Sequence, residues 1–443
     1  MPPSHRSECQ SRSGSPSPCS STKSFPSRVS TSIRLVLPAV LYDASTLSKR
    51  PHLLFALLYF AEGAPIGFIW WTLPTLLRGA GVEVDAITTL TAWVTIPWAL
   101  KFAWAPLVDT LTSPRFTLRG WIVTAQLAMA ASLAPLLFLS DPADALAPLT
   151  LFLVLHAFAA ATQDVAIDAL SIAIVPAEER GRLNGWMQAG MLLGRALFGG
   201  GALLASSALD LRAMAAAMIA VLLVTPLTLL RVALPPLPSR GGRLRRFLAD
   251  AKSALRRPLT WLGLAFALTA EVTFKGVGAV IGPFLVDSGV SEQAIGVFFG
   301  VGSVGAMVVG ALVGGRLADR FGRRRVIAGG QLLVGAAVVA LAALGTGELP
   351  LGGWLALLVF YLGVGLFTAA VFALFMDLTE PRLGATQFSA YMGLTNACEA
   401  WSSRAVGALV TGSGYPVAFL AAAGLGLVPL LLLPLLKPKA VEG

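Results

Sequence analysis

Charge is what this sequence is short of: of 443 residues only 13% are Asp, Glu, Lys or Arg, against 56% apolar residues. A soluble domain carries roughly 25% charged residues, so a soluble globular protein is excluded. Cysteine and histidine are also scarce, at three each. Cys9 and Cys19 lie near the N-terminus and Cys398 lies in an apolar run, with no metal-ligand spacing and no plausible pairing; Cys398 reads as a small packing residue. There is no phosphate-binding Walker sequence, no HExxH and no nucleophile elbow. The polar stretches are too short to fold as an ATPase. No enzyme, cofactor or metal is therefore expected, and any work the chain does draws on an ion gradient.

What is present is length without polarity. Mean hydropathy is +0.76, and from Leu53 onward twelve apolar segments are separated by polar or Pro/Gly breaks. They run 53–78, 86–108, 119–139, 147–175, 183–207, 211–231, 259–286, 293–317, 325–345, 351–377, 385–411 and 415–436. Each is able to cross a hydrocarbon core that takes about 20 helical residues. In lipid every backbone group must be satisfied internally, so the expected fold is an all-α polytopic membrane protein of twelve transmembrane helices.

The formal charge of +10 is not a nucleic-acid signal, because the cations cluster in short loops. Lys49, Arg50, Arg115, Arg119, Arg180, Arg182, the 232–257 linker, the 316–325 stretch, Arg382, Lys437 and Lys439 fall on one side. The opposite loops carry Asp85, Asp141, Asp144, Asp287, Glu292 and Glu348, with Arg78 and Arg212. By the positive-inside rule both termini are expected in the cytoplasm. Residues 1–48 read as a disordered cytoplasmic leader, rich in Ser, Pro and Arg. Leu35–Tyr42 is too short for a signal-peptide core and lacks a small-residue cleavage site; a basic tail, an over-extended start and a transit peptide stay open. The basic linker 232–257 divides the spans six and six, giving halves at 49–231 and 258–436 and a tail at 437–443.

The halves repeat. Glu62 and Glu271, Pro74 and Pro283, Asp168 and Asp377, and Arg195 and Arg404 all recur at an offset of 209. Asp109 and Asp319 recur at 210. Two repeats of six spans keep one topology, so their axis lies along the membrane normal.

Residues 315–325, GRLADRFGRRR, resemble the signature loop of the major facilitator superfamily between its eighth and ninth helices. LLYFAEGAPIGFIWWTLPTLLRGAGV (57–82), WALKFAWAPLVD (98–109) and ATQDVAIDALSIAIVPAEERG (161–181) are similar to the branch holding muropeptide permeases, acetyl-CoA transporters and some siderophore importers. The general resemblance covers about residues 50–436. One departure stands out: relatives often carry a Gly-Arg-Arg-Arg run before the third helix, where this chain reads SPRFTLRGW and keeps only Arg119.

An ionisable residue in a span is costly and should face a cavity or a partner. Glu62 lies roughly 15 Å into the first span, and Glu271 takes the matching place in the seventh. The resemblance puts the first, fourth, seventh and tenth helices around a central cavity, so both carboxylates are candidates to face cargo. A desolvated carboxylate can take up and release a proton. Alternatively, Lys275, one turn on, neutralises Glu271. Asp164 and Asp168 share a face of the fourth span and need a cation or a proton between them; Arg195 and Lys101 are the candidates. Gln163 and Asp164 read as cargo or proton contacts, and Asp168 with Asp377 as acids that bind loop arginines to close an inner gate. Arg195 and Arg404 suit an anionic solute, or else ion pairs, with Glu399 the expected partner of Arg404. His156 reads as a satisfied or cavity-edge histidine, and Trp70 and Trp71 as packing or a stacking surface. Lys101, Asp109, Arg119, Gly315, Asp319, Arg320, Gly322, Arg323 and Arg324 complete the expected gate.

The expectation is a secondary transporter, monomeric, in the cytoplasmic membrane, and the resemblance implies import of a hydrophilic anionic solute of muropeptide type with protons. A siderophore or acyl-CoA-like cargo is the near alternative. A sensor or scaffold built on a transporter fold and a membrane-embedded acyltransferase are the other classes, and the sequence shows neither a signalling domain nor a nucleophile constellation.

Overall fold

The computed structural model describes residues 51–436 except 112, 114–115, 140, 176–178, 233–248, 250–251, 254 and 380–383. The leader 1–48, most of the 232–257 linker, Lys49, Arg50, Arg115, Arg382 and the 437–443 tail lie outside the described residues. Every regular element described is helical. In chain order these are α1 (Pro51–Gly79), α2 (Val84–Thr110), α3 (Leu118–Leu137), α4 (Ala143–Ile174), α5 (180–204) and α6 (Leu211–Arg231). They continue as α7 (Pro258–Asp287), α8 (Glu292–Phe321), α9 (Arg323–Leu344) and α10 (Leu351–Leu378). The last helical run, Gly384–Leu425, is bent at Gly414 into α11 (384–413) and α12 (415–425). Nine stretches among the described residues are long and apolar enough to cross a membrane, one of them including the bend at Gly414. α2 and α5 are not among the nine: Lys101 and a row of threonines dilute the first, Arg182, Asn184 and Gln188 the second.

Local sequence sets the ends. Asp210 caps α6 by accepting from Ala213 N at 2.8 Å, and Pro258 opens α7, where its missing N–H is no loss. Within α2, Thr88, Thr91 and Thr95 bond back to the carbonyls of residues 84, 87 and 91 at 2.8–3.1 Å, which hides their hydroxyls from lipid. The segment 315–325 is not a loop. α8 runs through to Phe321, Gly322 alone leaves the helix at φ 87°, and α9 starts at Arg323. Only glycine takes that backbone without strain, which explains a sharp reversal without a linker.

Lipid supplies no hydrophobic drive between helices, so close packing through small residues does the work. Gly63 and Gly67 of α1 press on the backbone of Met191 and Arg195, and Gly190 and Gly194 of α5 press on that of Ala56 and Phe60. Gly310 and Gly314 of α8 do the same with Leu362 and Leu366 of α10. Two buried apolar clusters draw only on residues 54–232 and one only on residues 266–436. A fourth joins Trp71, Val84 and Leu203 to α7–α12.

This joining core lies at the end away from the basic residues. There Arg78 Nε pairs with Asp287 Oδ1 at 2.7 Å, Tyr415 donates to Asp287 Oδ2 at 2.7 Å, and Ser206 donates to Glu292 at 2.5 Å. Arg404 pairs with Asp85, and Gly200 of α5 lies on the backbone of Gly296 and Gly300 of α8. At the basic end the polar links among the described residues stay within α1–α6 or within α7–α12. Arg119 donates to Val232 O at 2.6 Å, Arg324 to Pro434 O at 3.5 Å, and Arg323 pairs with Asp377 at 2.7 Å. Midway, Asn396 Nδ2 donates to Trp98 O at 3.3 Å across the halves. Among the described residues the polar links between the halves thus gather toward one end, the closed end, and none lies at the other, the open end.

One asymmetry has an energetic consequence. Gln331 of α9 is buried and donates to Thr273 Oγ1 at 3.1 Å and to Gly426 O at 3.0 Å, tying α7 to the end of α12. Gln126 takes the matching place in α3, but the residue 209 before Thr273 is Ala64, and both polar atoms of Gln126 are buried without a partner. An unsatisfied buried amide costs about 1–3 kcal/mol. Gln126→Leu is therefore expected to raise the melting temperature in detergent and Gln331→Leu to lower it; shifts of the same sign would refute this reading.

Candidate functional site

Two groups of ionisable side chains lie between the helices. The first is built from α1, α2 and α4. Glu62 is 1% exposed and accepts from Gln163 Nε2 at 3.4 Å, while Gln163 Oε1 is buried with no partner. Lys101 pairs with Asp164 Oδ2. The Tyr59 hydroxyl stands 3.2 Å from Asp164 Oδ1 and 3.0 Å from Asp168 Oδ1. Asp168, one turn nearer the basic end, is exposed. Three carboxylates thus share one ammonium group.

The second is built from α1, α5, α7, α10 and α11. Lys275 Nζ pairs with Glu399 Oε2 at 2.5 Å, and Trp70 Nε1 donates to Glu399 Oε1, also at 2.5 Å. The Arg195 guanidinium lies 5.1 Å from the centre of the Trp71 ring, which stacks on Phe299 at 5.3 Å and 7°. Its Nε is buried without a hydrogen-bond partner, and Glu399 and Tyr361 are its electrostatic neighbours. Glu271, 2% exposed, sits where α7 is interrupted, at φ −99°, ψ 7°. Two acids here face two bases. The side chains of Lys101 and Lys275 are 18% and 22% exposed although they lie deep within helices, so neither group is fully sealed.

A junction links the groups to the closed end. α1, α5 and α8 each contain one turn of π-helix, at Phe68–Thr72, Ala196–Gly200 and Phe298–Ser303. Such a turn frees a carbonyl, and Thr72 Oγ1 donates to Gly199 O at 2.7 Å, with Phe198 O 3.1 Å away. Trp70, Trp71 and Phe299 lie in these π-turns; π-bulges are frequent at functional sites.

The structure gathers Glu62, Gln163, Asp164, Arg195, Glu271, Lys275 and Glu399 into the interior, and corrects several pairings. Lys275 pairs with Glu399 and not with Glu271, although Lys275 N still donates to Glu271 O at 2.9 Å: Glu271 is the N-cap of the second part of α7, and the ammonium goes to the acid of the neighbouring helix. Arg404 is not in the interior. Its side chain is 46% exposed and pairs with Asp85, not Glu399. Lys101, not Arg195, meets the aspartates. Among the described residues Asp168 bonds to Tyr59 rather than to a loop arginine. Asp377 does meet an arginine, Arg323, in an ion pair that falls short of hydrogen-bond geometry. Gly315 lies inside α8, Asp319 is exposed and makes no ion pair among the described residues, and Arg320 lies 5.2 Å from the Phe321 ring. The Asp109 side chain lies outside the described residues. His156 is satisfied between α3 and α4, 3.2 Å from Met129 O and 3.3 Å from Ser132 Oγ.

Sequence reasoning missed Tyr59, although it stands one turn before Glu62 on the same helix. It also missed that Arg78 and Asp287 pair, although they are separated by 209 residues, the repeat offset itself. Residues related by the repeat meet across its axis when both lie near it.

Comparison with known proteins supplies the family. The model of the Major Facilitator Superfamily matches residues 53–403 and again 269–442. The chain is 30% identical over 399 residues to the anhydromuropeptide permease of Escherichia coli K12, covering 85% of this chain and 78% of that protein. Among solved structures, the nucleoside transporter NupG superposes with a TM-score of 0.67 at 14% identity, covering 87% of this chain and 99% of that one. The inward-open xylose transporter XylE from E. coli superposes at 0.64 and 13% identity, covering 90% and 98%.

Proposed function

The chain belongs to the major facilitator superfamily, and from that premise we propose that it imports a hydrophilic, anionic, muropeptide-like solute together with protons. It is a multi-pass membrane transporter, not an enzyme. In our reading two halves, 49–231 and 258–436, cross the cytoplasmic membrane twelve times with both termini inside, and rock as a monomer about the interior groups. The bundle as described then opens to the cytoplasm.

The observation that carries this reading is Arg195. A guanidinium Nε buried without a hydrogen-bond partner beside an indole face is a prepared seat for a carboxylate, and the stacked Trp71–Phe299 pair offers an apolar wall to a sugar ring. The likeness to an anhydromuropeptide permease points the same way. Proton coupling rests on the first group: three carboxylates sharing one ammonium at membrane depth are costly when all are ionised, and a proton relieves them.

The test is uptake of a labelled anhydromuropeptide into proteoliposomes with and without an imposed pH gradient. Uphill accumulation that collapses with the gradient is expected, and Glu62→Gln should abolish it. Accumulation indifferent to the gradient would remove the proton; no uptake of anhydromuropeptide would remove the cargo.

A further inference from the structure

The hydroxyl of Tyr59 has one hydrogen and two carboxylate neighbours. It stands 3.0 Å from Asp168 Oδ1 and 3.2 Å from Asp164 Oδ1, both within hydrogen-bond range. A phenol can donate to one of them; it engages the second by accepting, which requires a proton on that carboxyl. The two aspartates are not equivalent. Asp164 gives its other oxygen, Oδ2, to the Lys101 ammonium in an ion pair. Asp168 makes no ion pair of its own among the described residues, shares Lys101 only as an electrostatic neighbour, and is exposed one turn nearer the basic end.

We propose that Asp168 is the proton carrier and that Tyr59 relays its proton to Asp164, so that protonation at the open end releases Lys101. The hydrogen-bonded chain runs from Asp168 Oδ1–H to Tyr59 Oη–H to Asp164 Oδ1, with Lys101 on the far oxygen. As Tyr59 passes its own hydrogen to Asp164 Oδ1, it receives the hydrogen of Asp168. The phenol ends as it began, Asp168 becomes a carboxylate, and Asp164 becomes a neutral acid. A neutral acid no longer holds an ammonium ion, so the tie between α2 and α4 is lost. Lys101 next feels Glu62, the remaining acid of the group.

The other charged groups facing this triad are few. α1 brings Glu62, α2 brings Lys101, and α3, also packed on α4, carries only Arg119, which is engaged with Val232 O near the end of α6. The relay deepens the proton-coupled reading and assigns its steps. It places proton entry at Asp168, a residue that the sequence had suggested as a gate, and leaves Glu62 one step further in.

A first test needs no cargo. In pH-titrated infrared difference spectra of the purified protein, the carbonyl stretch of a protonated carboxylic acid should vanish in Asp168→Asn and shift in Tyr59→Phe; a band unchanged in Asp168→Asn overturns the assignment. The second test compares two modes of flux of labelled anhydromuropeptide. Tyr59→Phe should reduce pH-gradient-driven accumulation by about 100-fold, the scale of a lost proton-transfer group, while cargo exchange without a gradient persists. Full accumulation in Tyr59→Phe, or loss of exchange together with accumulation, overturns the relay. If wild-type protein itself shows no gradient-driven accumulation, the proton-coupled reading fails instead, and the infrared band still decides whether Asp168 holds the proton.

Discussion

Arg195→Ala is expected to weaken binding of an anionic cargo by about 2–5 kcal/mol, the range for truncating one partner of a buried charge pair, or about 30- to 4,000-fold in Kd. The size follows from isolation. Arg195 Nε has no protein hydrogen bond to fall back on, and its nearest acid, Glu399, is already shared between Lys275 and Trp70. Arg195→Lys should recover only part of the loss, because an ammonium ion keeps the charge but gives up the two-pronged fork and the stack on Trp71. Equilibrium binding of labelled cargo to detergent-solubilised protein measures both. Binding as tight in Arg195→Ala as in wild type would show that cargo sits elsewhere, and the π-turn junction would then need another purpose.

A single methyl group at Gly200 is expected to change which end of the bundle is closed. A Cβ there would fall on the backbone of Gly296 and Gly300, and backbone, unlike a flexible side chain, has no rotamer into which to retreat. Overpacking costs about 1–3 kcal/mol, charged only to the state in which α5 and α8 touch, so that state should lose population by about 5- to 150-fold. Gly201→Ala is the control, since its nearest foreign-residue contact is an ordinary 3.5 Å to Leu197. Spin labels at Leu209→Cys and Glu348→Cys, both exposed at the closed end, should move apart in Gly200→Ala and stay in place in Gly201→Ala. Unchanged distances in Gly200→Ala would mean that the α5–α8 contact is not what closes the bundle.

The helical segments and their division into two sets of loops were legible because length and polarity are properties of the chain alone. Expected bounds of 211–231, 351–377 and 53–78 meet helices at Leu211–Arg231, Leu351–Leu378 and Pro51–Gly79. Much of the membership of the interior was legible too, since an ionisable residue in an apolar run has few places to go, but Arg404 turned out exposed and Tyr59 was not singled out. Partners were not. Glu271 and Lys275 have the right spacing for a pair, and their backbones are joined by Lys275 N to Glu271 O at 2.9 Å, but spacing along one helix does not reveal that Glu399 of α11 competes for the ammonium group. Arg404 and Glu399 are neighbours in sequence, yet they point to different helices, one to α2 and the other to α7 and α1. The short loop expected between 317 and 325 shrank to one residue for a different reason. Charge density was read as solvent exposure, when arginines at helix ends can be exposed and still be helical. Gly322 was the local signal that the turn needed one residue.

The bend at Gly414 turns these contacts into a mechanical linkage. α11 and α12 are joined by one residue at φ 81°, so no slack separates them, and a tilt of α11 is delivered to α12 as torque. The next residue, Tyr415, is tethered to Asp287 and through it to Arg78. Those three side chains act as a tie-rod between the ends of α1 and α7 and the elbow. Breaking the rod would set two helices turning together, and lengthening the elbow by inserted glycines would let α11 move while α12 stays still.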